Sequence, residues 1–583
     1  MNKYIFQFLF FFFSISAFAQ DSKPNINWQL QDPAADKIYG AGVEKAYELL
    51  KGKPARDIIV AVIDGGTDVK HEDLKDNIWT NTGEIPDNGI DDDHNGYVDD
   101  IHGWNFLGGK SGNIEFESTE LARMYHKLKT KYGNLDSAQI LTGQMAEYLE
   151  YKNIRSKFLK EQMESTQNLM VIAELNSLIE KVKKQNNGIL SRKAVKRYKP
   201  ENEREKAFRK GLKLALLLTG KPADLEKEIS EGTKQLSNLA KYNALNTDSI
   251  RSAVVGDDPN NPSQKYYGNN DVTGPDALHG THVAGIIGAV RNNNIGINGI
   301  ADHVKLMIIR AVPDGDERDK DVANAIRYAV DNHASVINMS FGKYYSPFKA
   351  VVDSAIKYAE DHDVLMIHAA GNESKNKDVE NSFPTNELAN GVITSNWIEV
   401  GATDRKKGSS LIGSFSNYGK KKLDLFAPGV NIYSTGPNNT YITESGTSMA
   451  APVTTGVAAL IREYFPELKA SEVKAILMKT VTPSSKKVII PGTKKEKALL
   501  SDLSVSGGVV NAYGAVKLLL KKIEALSMHR FLLSIVGYHF GFIFYPLFPS
   551  SLHIQVFGVP PGESQEKGIM TGFTDHKLPI ERS

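Results

Sequence analysis

The chain of 583 residues has no cysteine. That excludes disulfides, a thiolate metal site, a cysteine nucleophile and a lipid-modified N-terminal cysteine. It has almost no net charge: 70 Lys and Arg face 69 Asp and Glu, a formal +1. No overall basic field therefore draws it to nucleic acid. With 41% hydrophobic and 24% charged residues it is neither disordered nor fibrous, so a large folded core is expected. Glycine, frequent elsewhere, is scarce from about 116 to 263, where Lys, Glu and Leu dominate.

The N-terminus is read as a signal peptide, residues 1–19. Lys3 is positive, Tyr4 to Phe13 is almost wholly apolar, and Ala17-Phe18-Ala19 is a small-x-small cleavage site, so a mature chain starts at Gln20. The apolar stretch is short for a membrane span. Export is the expected localisation, to periplasm, cell surface or medium. At the other end, residues 526–583 are left unassigned. Phe531 to Phe548 is strongly aromatic, interrupted by His539 and Pro546, and is the candidate membrane contact.

Ile58 to Ile63 is an apolar, mostly β-branched run, which suits a strand buried on both faces of a parallel sheet. It ends at Asp64-Gly65-Gly66. From Asp271 onward strand and helix signals alternate. Val304 to Val312, Ser335 to Met339, Val364 to Ala370 and Trp397 to Ala402 read as strands. Lys320 to Asp331, Phe348 to His362, Ser448 to Tyr464 and Ser471 to Lys479 read as helices. That alternation predicts a parallel sheet covered on both faces. Between these parts, Leu141 to Phe158 and Leu169 to Val182 each repeat apolar residues at helical spacing, predicting amphipathic helices packed as hairpins.

Three segments carry chemistry: Val62-Ile63-Asp64-Gly65-Gly66, His279-Gly280-Thr281-His282-Val283-Ala284-Gly285, and Gly446-Thr447-Ser448-Met449-Ala450. A serine hydroxyl needs a base to take its proton. Histidine suits that role at neutral pH, and a buried carboxylate fixes its tautomer. The order Asp, His, Ser differs from that of trypsin-like enzymes and of α/β-hydrolases. Over about 27–106 and 271–519 the chain resembles the subtilisin-like serine proteases.

The resemblance implies an α/β, subtilisin-like three-layer fold with a central, mostly parallel sheet, built from 20–110 and 266–525. A large, mainly helical insertion, 111–265, interrupts it. The implied activity is a serine endopeptidase hydrolysing polypeptide substrates through a covalent acyl-enzyme. Asp64 would orient, His279 would act as general base and acid, and Ser448 would attack. His282 would be structural. His368-Ala369-Ala370-Gly371-Asn372-Glu373 resembles the oxyanion loop, with Asn372 as side-chain donor. Ser340, Phe341 and Gly342, with Ala369, Ala370 and Gly371, would border the substrate cleft, where a peptide adds as a β-strand in a roomy apolar pocket. The alternative is a binding protein of the same fold without efficient catalysis, against which the intact Asp64, His279, Asn372 and Ser448 argue.

Structural Ca²⁺ is expected, and no catalytic metal. The acidic, turn-rich segment Asp91 to Asp100 offers oxygen ligands at alternate positions around Gly96, and Asp91, Asp93, Asn95 and Asp99 are the expected ligands. A second site is expected where Asp73, Asn293 and carbonyls near Ile295 and Ile297 match the family's high-affinity calcium loop. Asp64 and His279 are 215 residues apart, far more than is usual in the family, and the insertion fills the gap. Both its ends lie near the expected cleft, so it is read as a helical cap that limits access or docks a partner. The stretch from Gln20 to Asp64 leaves little room for a separately folding propeptide.

Overall fold

The computed structural model describes residues 26–219 and 222–540. The expected signal peptide, and the tail beyond Phe540, lie outside them. Helices in chain order are α1 (Val43–Leu50), α2 (Glu120–Tyr132), α3 (Met145–Lys184), α4 (Arg192–Arg197), α5 (Glu203–Thr219), α6 (Pro222–Asn243), α7 (Asp248–Val255), α8 (Leu278–Gly288), α9 (Asp319–Asp331), α10 (Lys349–Asp361), α11 (Thr447–Tyr464), α12 (Ala470–Thr480) and α13 (Ala512–Phe540).

The main sheet contains β1 (Ile58–Asp64) and β2 (Gly103–Asn105). Beyond a small hairpin, β3 (Gly108–Gly109) with β4 (Gly112–Asn113), it takes in β5 (Val304–Arg310), β6 (Val336–Met339), β7 (Leu365–Ala369), β8 (Trp397–Thr403) and β9 (Leu425–Pro428). A second hairpin, β10 (Ile432–Gly436) with β11 (Thr440–Glu444), stands apart from it. The sheet is completed by β12 (Thr482–Pro483) and, after the short pair β13 (Val488–Ile489) and β14 (Lys497–Ala498), by β15 (Gly508–Val509).

The nine strands run in the order β12-β15-β9-β8-β7-β6-β1-β5-β2. All neighbours pair in parallel except β12 with β15. This is the α/β architecture expected. Central strands are apolar throughout because helices cover both faces: Val60 to Ile63, Leu306 to Ile309 and Met366 to Ile367 are all buried. Each such side chain contributes about 1.5–3 kcal/mol by leaving water. Because β1 lies between β6 and β5, the carboxyl ends of β1 and β6 sit side by side, with Ile63 paired to Met339. Asp64 and Ser340 therefore emerge at one edge.

The insertion is helical, α2 to α7, but its long helix differs from expectation. The two apolar periods belong to one continuous 40-residue helix, α3. Tyr148, Tyr151, Ile154 and Phe158 pack with Leu121, Tyr125 and Tyr132 of α2. Farther along, Ile172, Leu175, Ile179 and Val182 join Val195, Phe208, Leu212 and Leu225 in a separate core. The helix changes partners midway, so its buried face changes too, and the polar stretch between the two reads as a break only in sequence.

The chain to Leu518, insertion included, forms one compact unit; a second begins at Leu519. Buried charges explain why the insertion does not separate. Arg251 of α7 pairs at 2.8 Å with Asp321 of α9 and at 3.0 Å with Asp257, and both its partners are wholly buried. Glu117 pairs with Arg318 at 2.9 Å. Stripping any of these of its partner would leave an uncompensated buried charge, so the junction opens only as a whole. Among the described residues no helix is long and apolar enough to cross a membrane. Phe531 to Phe540, the described part of the aromatic stretch, lie in α13.

In the last turn of α11, Glu463 is 1% exposed. Burial first, and then the neighbouring Asp302 carboxylate, push its carboxyl well above the usual range. The folded state thus keeps a proton that the unfolded state releases, and stability falls as pH rises past the ordinary glutamate value of about 4.3. Glu463→Gln is expected to melt like the parent at pH 4 and roughly 2–4 °C higher at pH 8. Calorimetry across that range would check this, and a difference independent of pH would refute it.

Candidate active site

Asp64 ends β1, 3% exposed, and accepts the Gly65 N–H at 2.8 Å. His279, second residue of α8, brings its Nδ1 to 2.7 Å from Asp64 Oδ1. The neighbouring Gly280 has a steric cause: a Cβ there would lie 2.1 Å from the Gly66 carbonyl oxygen, so only glycine lets α8 start this close to the β1 turn. The imidazole remains open, with 45% of its side-chain surface exposed.

Packing around the ring works against its charge, but Asp64 outweighs this, helped by Glu444 and Asp276, and the imidazole is held above its ordinary pKa. His282, one turn on, differs. Burial, with the His279 charge, drives it down to about 3, and its Nε2 lies 3.1 Å from the Ile432 carbonyl. It is a neutral buried side chain, as expected.

Ser448 is the second residue of α11, which packs directly against α8. Its Oγ donates to the Ser340 carbonyl at 3.1 Å, and the Ser340 hydroxyl donates to the Ser448 carbonyl at 3.0 Å. The serine hydroxyl thus rests on the end of β6 rather than on the imidazole. Asn372 lies beside it, exposed at the turn after β7. Its Oδ1 accepts from the Thr447 N–H at 2.9 Å and from the Thr447 hydroxyl at 3.0 Å, while the same hydroxyl accepts the Gly371 N–H at 3.0 Å. Through this oxygen Asn372 is tied to the start of α11, where the helix dipole favours negative charge. Residue type and spacing alone give Thr447 no role. Its bridging role needs the β7 turn and α11 to meet.

Of the expected cleft residues, Ser340 is buried, Phe341 half-buried and Gly342 exposed; Ala369 and Ala370 are buried and Gly371 is half-buried. The two strand ends lie side by side, since Met339 pairs with His368. A charged cluster lies behind them. His368 Nδ1 is 3.0 Å from both Glu399 oxygens, and Lys377 is 2.6 Å from Glu399 and 3.5 Å from the Ala370 carbonyl. Burial opposes the Glu399 charge, but His368 and Lys377 prevail and hold it at about 2.

Asp91 and Asp93 share the Asn95 N–H, each at 3.0 Å, while Asp99 is engaged elsewhere. Asp91 accepts the N–H groups of Asn95 and Gly96, and Asp99 those of Asn88 and Gly89. Asn95 instead donates its amide to Asp93 at 3.1 Å and to Asp100 at 3.1 Å. The carboxylates that meet are Glu84, Asp93 and Asp100, with oxygens within 4.8 Å of one another. Alternation along one loop does not reveal this cluster, because folding brings in Glu84 from the preceding turn. Burial pushes Asp100 up to about 6, against hydrogen bonds from Tyr328, Asn81 and Asn95.

Asp73 and Asn293 do meet: the Asn293 amide donates to Asp73 at 2.6 Å, and the Ile297 N–H at 3.0 Å. Arg291 turns away to Glu44, over the Tyr47 ring. Burial raises Glu444 at the end of β11, and Glu231 and Lys227 of α6 act on it in opposite directions.

A family model described as the subtilase family matches residues 55–515, most of the chain. The chain belongs to that family and is a serine-type endopeptidase. It is 38% identical over 207 residues to subtilisin DY of Bacillus licheniformis, covering 35% of this chain and 70% of that protein. It is 39% identical over 184 residues to a thermophilic serine proteinase of Bacillus sp. (strain AK1), covering 31% and 42%. Among solved structures, a Pseudoalteromonas arctica protease aligns with 86% of this chain and 99% of its own, at 18% identity and a TM-score of 0.44.

Glu444 acts on His279 in the direction that raises its pKa. Glu444→Gln is expected to lower the NMR titration midpoint of the His279 ring, while the parent midpoint lies above the ordinary value of about 6.5. A midpoint that does not move would show that the two do not interact.

Proposed function

We propose that this subtilase is exported and cuts polypeptides through a covalent serine ester, with Ser448 as nucleophile, His279 as base and acid, Asp64 as orienter and Asn372 as oxyanion donor. The observation that carries the reading is the 2.7 Å contact of His279 Nδ1 with Asp64, which leaves Nε2 on the open side of the ring. Rotation of Ser448 about its Cα–Cβ bond would release Ser340 and offer Oγ to that nitrogen. Such contacts commonly tighten only when substrate binds.

As Oγ attacks the scissile carbonyl, its proton passes to Nε2 and the oxygen of the carbonyl gains charge. Asn372 Nδ2 and the Ser448 N–H would meet that charge. Asp64 steadies the imidazolium without taking its proton. The same proton then goes to the leaving amine, and water repeats the attack on the ester. A bound peptide would lie along Ser340 to Gly342. The backbone N–H and carbonyl of Lys343, just beyond, already pair with Phe383, at 2.9 and 2.7 Å, so the strand is braced there. Export rests on the N-terminal pattern at Lys3 to Ala19.

The activity expected follows from these roles. Wild-type enzyme should be labelled stoichiometrically at Ser448 by a sulfonyl fluoride and lose activity with it. Ser448→Ala should take no label and hydrolyse peptide amides more slowly by roughly 10⁶. Label elsewhere, or hydrolysis surviving in Ser448→Ala, would refute the assignment.

The calcium reading fits the acidic loop. Glu84, Asp93 and Asp100 form a hard-oxygen donor set, and they would hold the ion. Its charge would keep Asp100 ionised despite burial and tie two turns together. At Asp73 the carboxylate already accepts two N–H groups, and turning the Asn293 amide over would present its oxygen as a ligand. Chelator treatment is expected to lower the melting temperature, calcium to restore it, and Asp100→Asn to abolish the difference. A midpoint unaffected by chelator would count against the ion.

A further inference from the structure

Lys343 follows the expected cleft strand Ser340 to Gly342 directly, yet its side chain does not face solvent. It is 2% exposed. Its ammonium donates to Glu120 Oε2 at 2.8 Å and to the Glu317 carbonyl at 2.6 Å, and lies 2.8 Å from Asp319 Oδ1. Glu120 is the first residue of α2, where the insertion begins its helices. The core of the enzyme and the insertion therefore share one buried lysine, one residue past the cleft.

Other contacts at this junction hold the same segments. Asp316 accepts the Glu120 N–H at 2.8 Å. Arg123, also of α2, donates to the carbonyls of Asp316 and Glu317 at 3.0 and 3.3 Å and pairs with Glu120 at 2.7 Å. Tyr345 packs against the α2–α3 core, and Lys157 of α3 sits over its ring. Asp319 also accepts from Ser346 and from the Phe348 N–H. Residues 343–348 are thus fixed between the insertion and the start of α9.

A buried ion pair is a poor source of net stability, because desolvation cancels most of its attraction. What it supplies is geometry: three acceptors define where one ammonium stands, and so where its backbone stands. We propose that Lys343 is a positioning residue for the acyl side of the substrate, held by Glu120, so that the insertion sets the register of the cleft strand. The proposal rests on the peptide lying along Ser340 to Gly342, as above. A peptide long enough to pair with Gly342 depends on that register. One whose acyl part ends at the residue before the cut does not.

The test compares kcat and KM for two chromogenic amides, one with a single acyl residue and one with four, in Lys343→Met, Lys343→Arg, Glu120→Gln and Arg251→Lys, with active enzyme counted by sulfonyl fluoride. Lys343→Met is expected to raise KM for the long amide roughly ten-fold, with its kcat and the short amide within about two-fold. Lys343→Arg should recover most of the loss. Glu120→Gln should shift KM in the same sense, by roughly three-fold. Arg251→Lys, which loosens the insertion elsewhere, should lower the melting temperature and leave the long-to-short ratio alone.

Equal effects on both amides, no effect, or the same ratio change in Arg251→Lys would overturn the proposal. If Lys343→Met does not fold, Glu120→Gln decides alone. Wild-type enzyme that takes no label at Ser448 would overturn the catalytic assignment itself, a failure visible before any variant is compared.

Discussion

The contact between Asp64 and His279 depends on nearly everything else in the fold. It joins side chains 215 residues apart, and it forms because α8 can start against the turn that ends β1. That approach needs Gly280 under the Gly66 carbonyl, and it needs β1 held in the middle of the sheet between β5 and β6. The hydrogen bond then fixes which ring nitrogen faces outward and raises the affinity of the ring for a proton. A serine at the start of α11 and an amide oriented by Thr447 are arranged around the same edge.

The insertion is joined to this edge both by apolar contact, with Ile114 and Val255 in the main core, and by buried charge. Its own two hydrophobic cores are formed mainly within the insertion, with Tyr345 packed against one of them. Arg251, Glu117 and Glu120 instead meet Asp321, Arg318 and Lys343 of the protease core without access to water. Burying charges is tolerable only where each finds its partner, which makes such a junction exacting in geometry even if it adds little stability. Glu231 and Lys227 of α6 act in opposite directions on Glu444, which in turn acts on His279.

Short-range signals were readable in advance. The runs Ile58 to Ile63 and Trp397 to Ala402 announced buried strands, and the helices after Lys320 and Ser448 began within one residue of their expected starts. Signals that depend on a partner misled. The two apolar periods of α3 looked like two helices because each packs on a different neighbour. Alternation along the loop picked out Asp91, Asp93, Asn95 and Asp99, and could not show that Glu84 from the preceding turn and Asp100 close on Asp93.

Residue type and local pattern by themselves determined the chemistry available here: a hydroxyl, an imidazole and a carboxylate, each at the end of a strand or start of a helix, in a chain without thiols. They also determined the alternation of strands and helices, since burial on one or two faces writes its period into the sequence. Tertiary structure alone decided the pairings. Serine 448 rests on the Ser340 carbonyl, Thr447 orients Asn372, and Lys343 is gripped from the insertion by Glu120. These are contacts between residues 75 to 223 positions apart. No periodicity reports them, because a hydrogen bond depends on distance and direction in space, which a linear pattern does not contain.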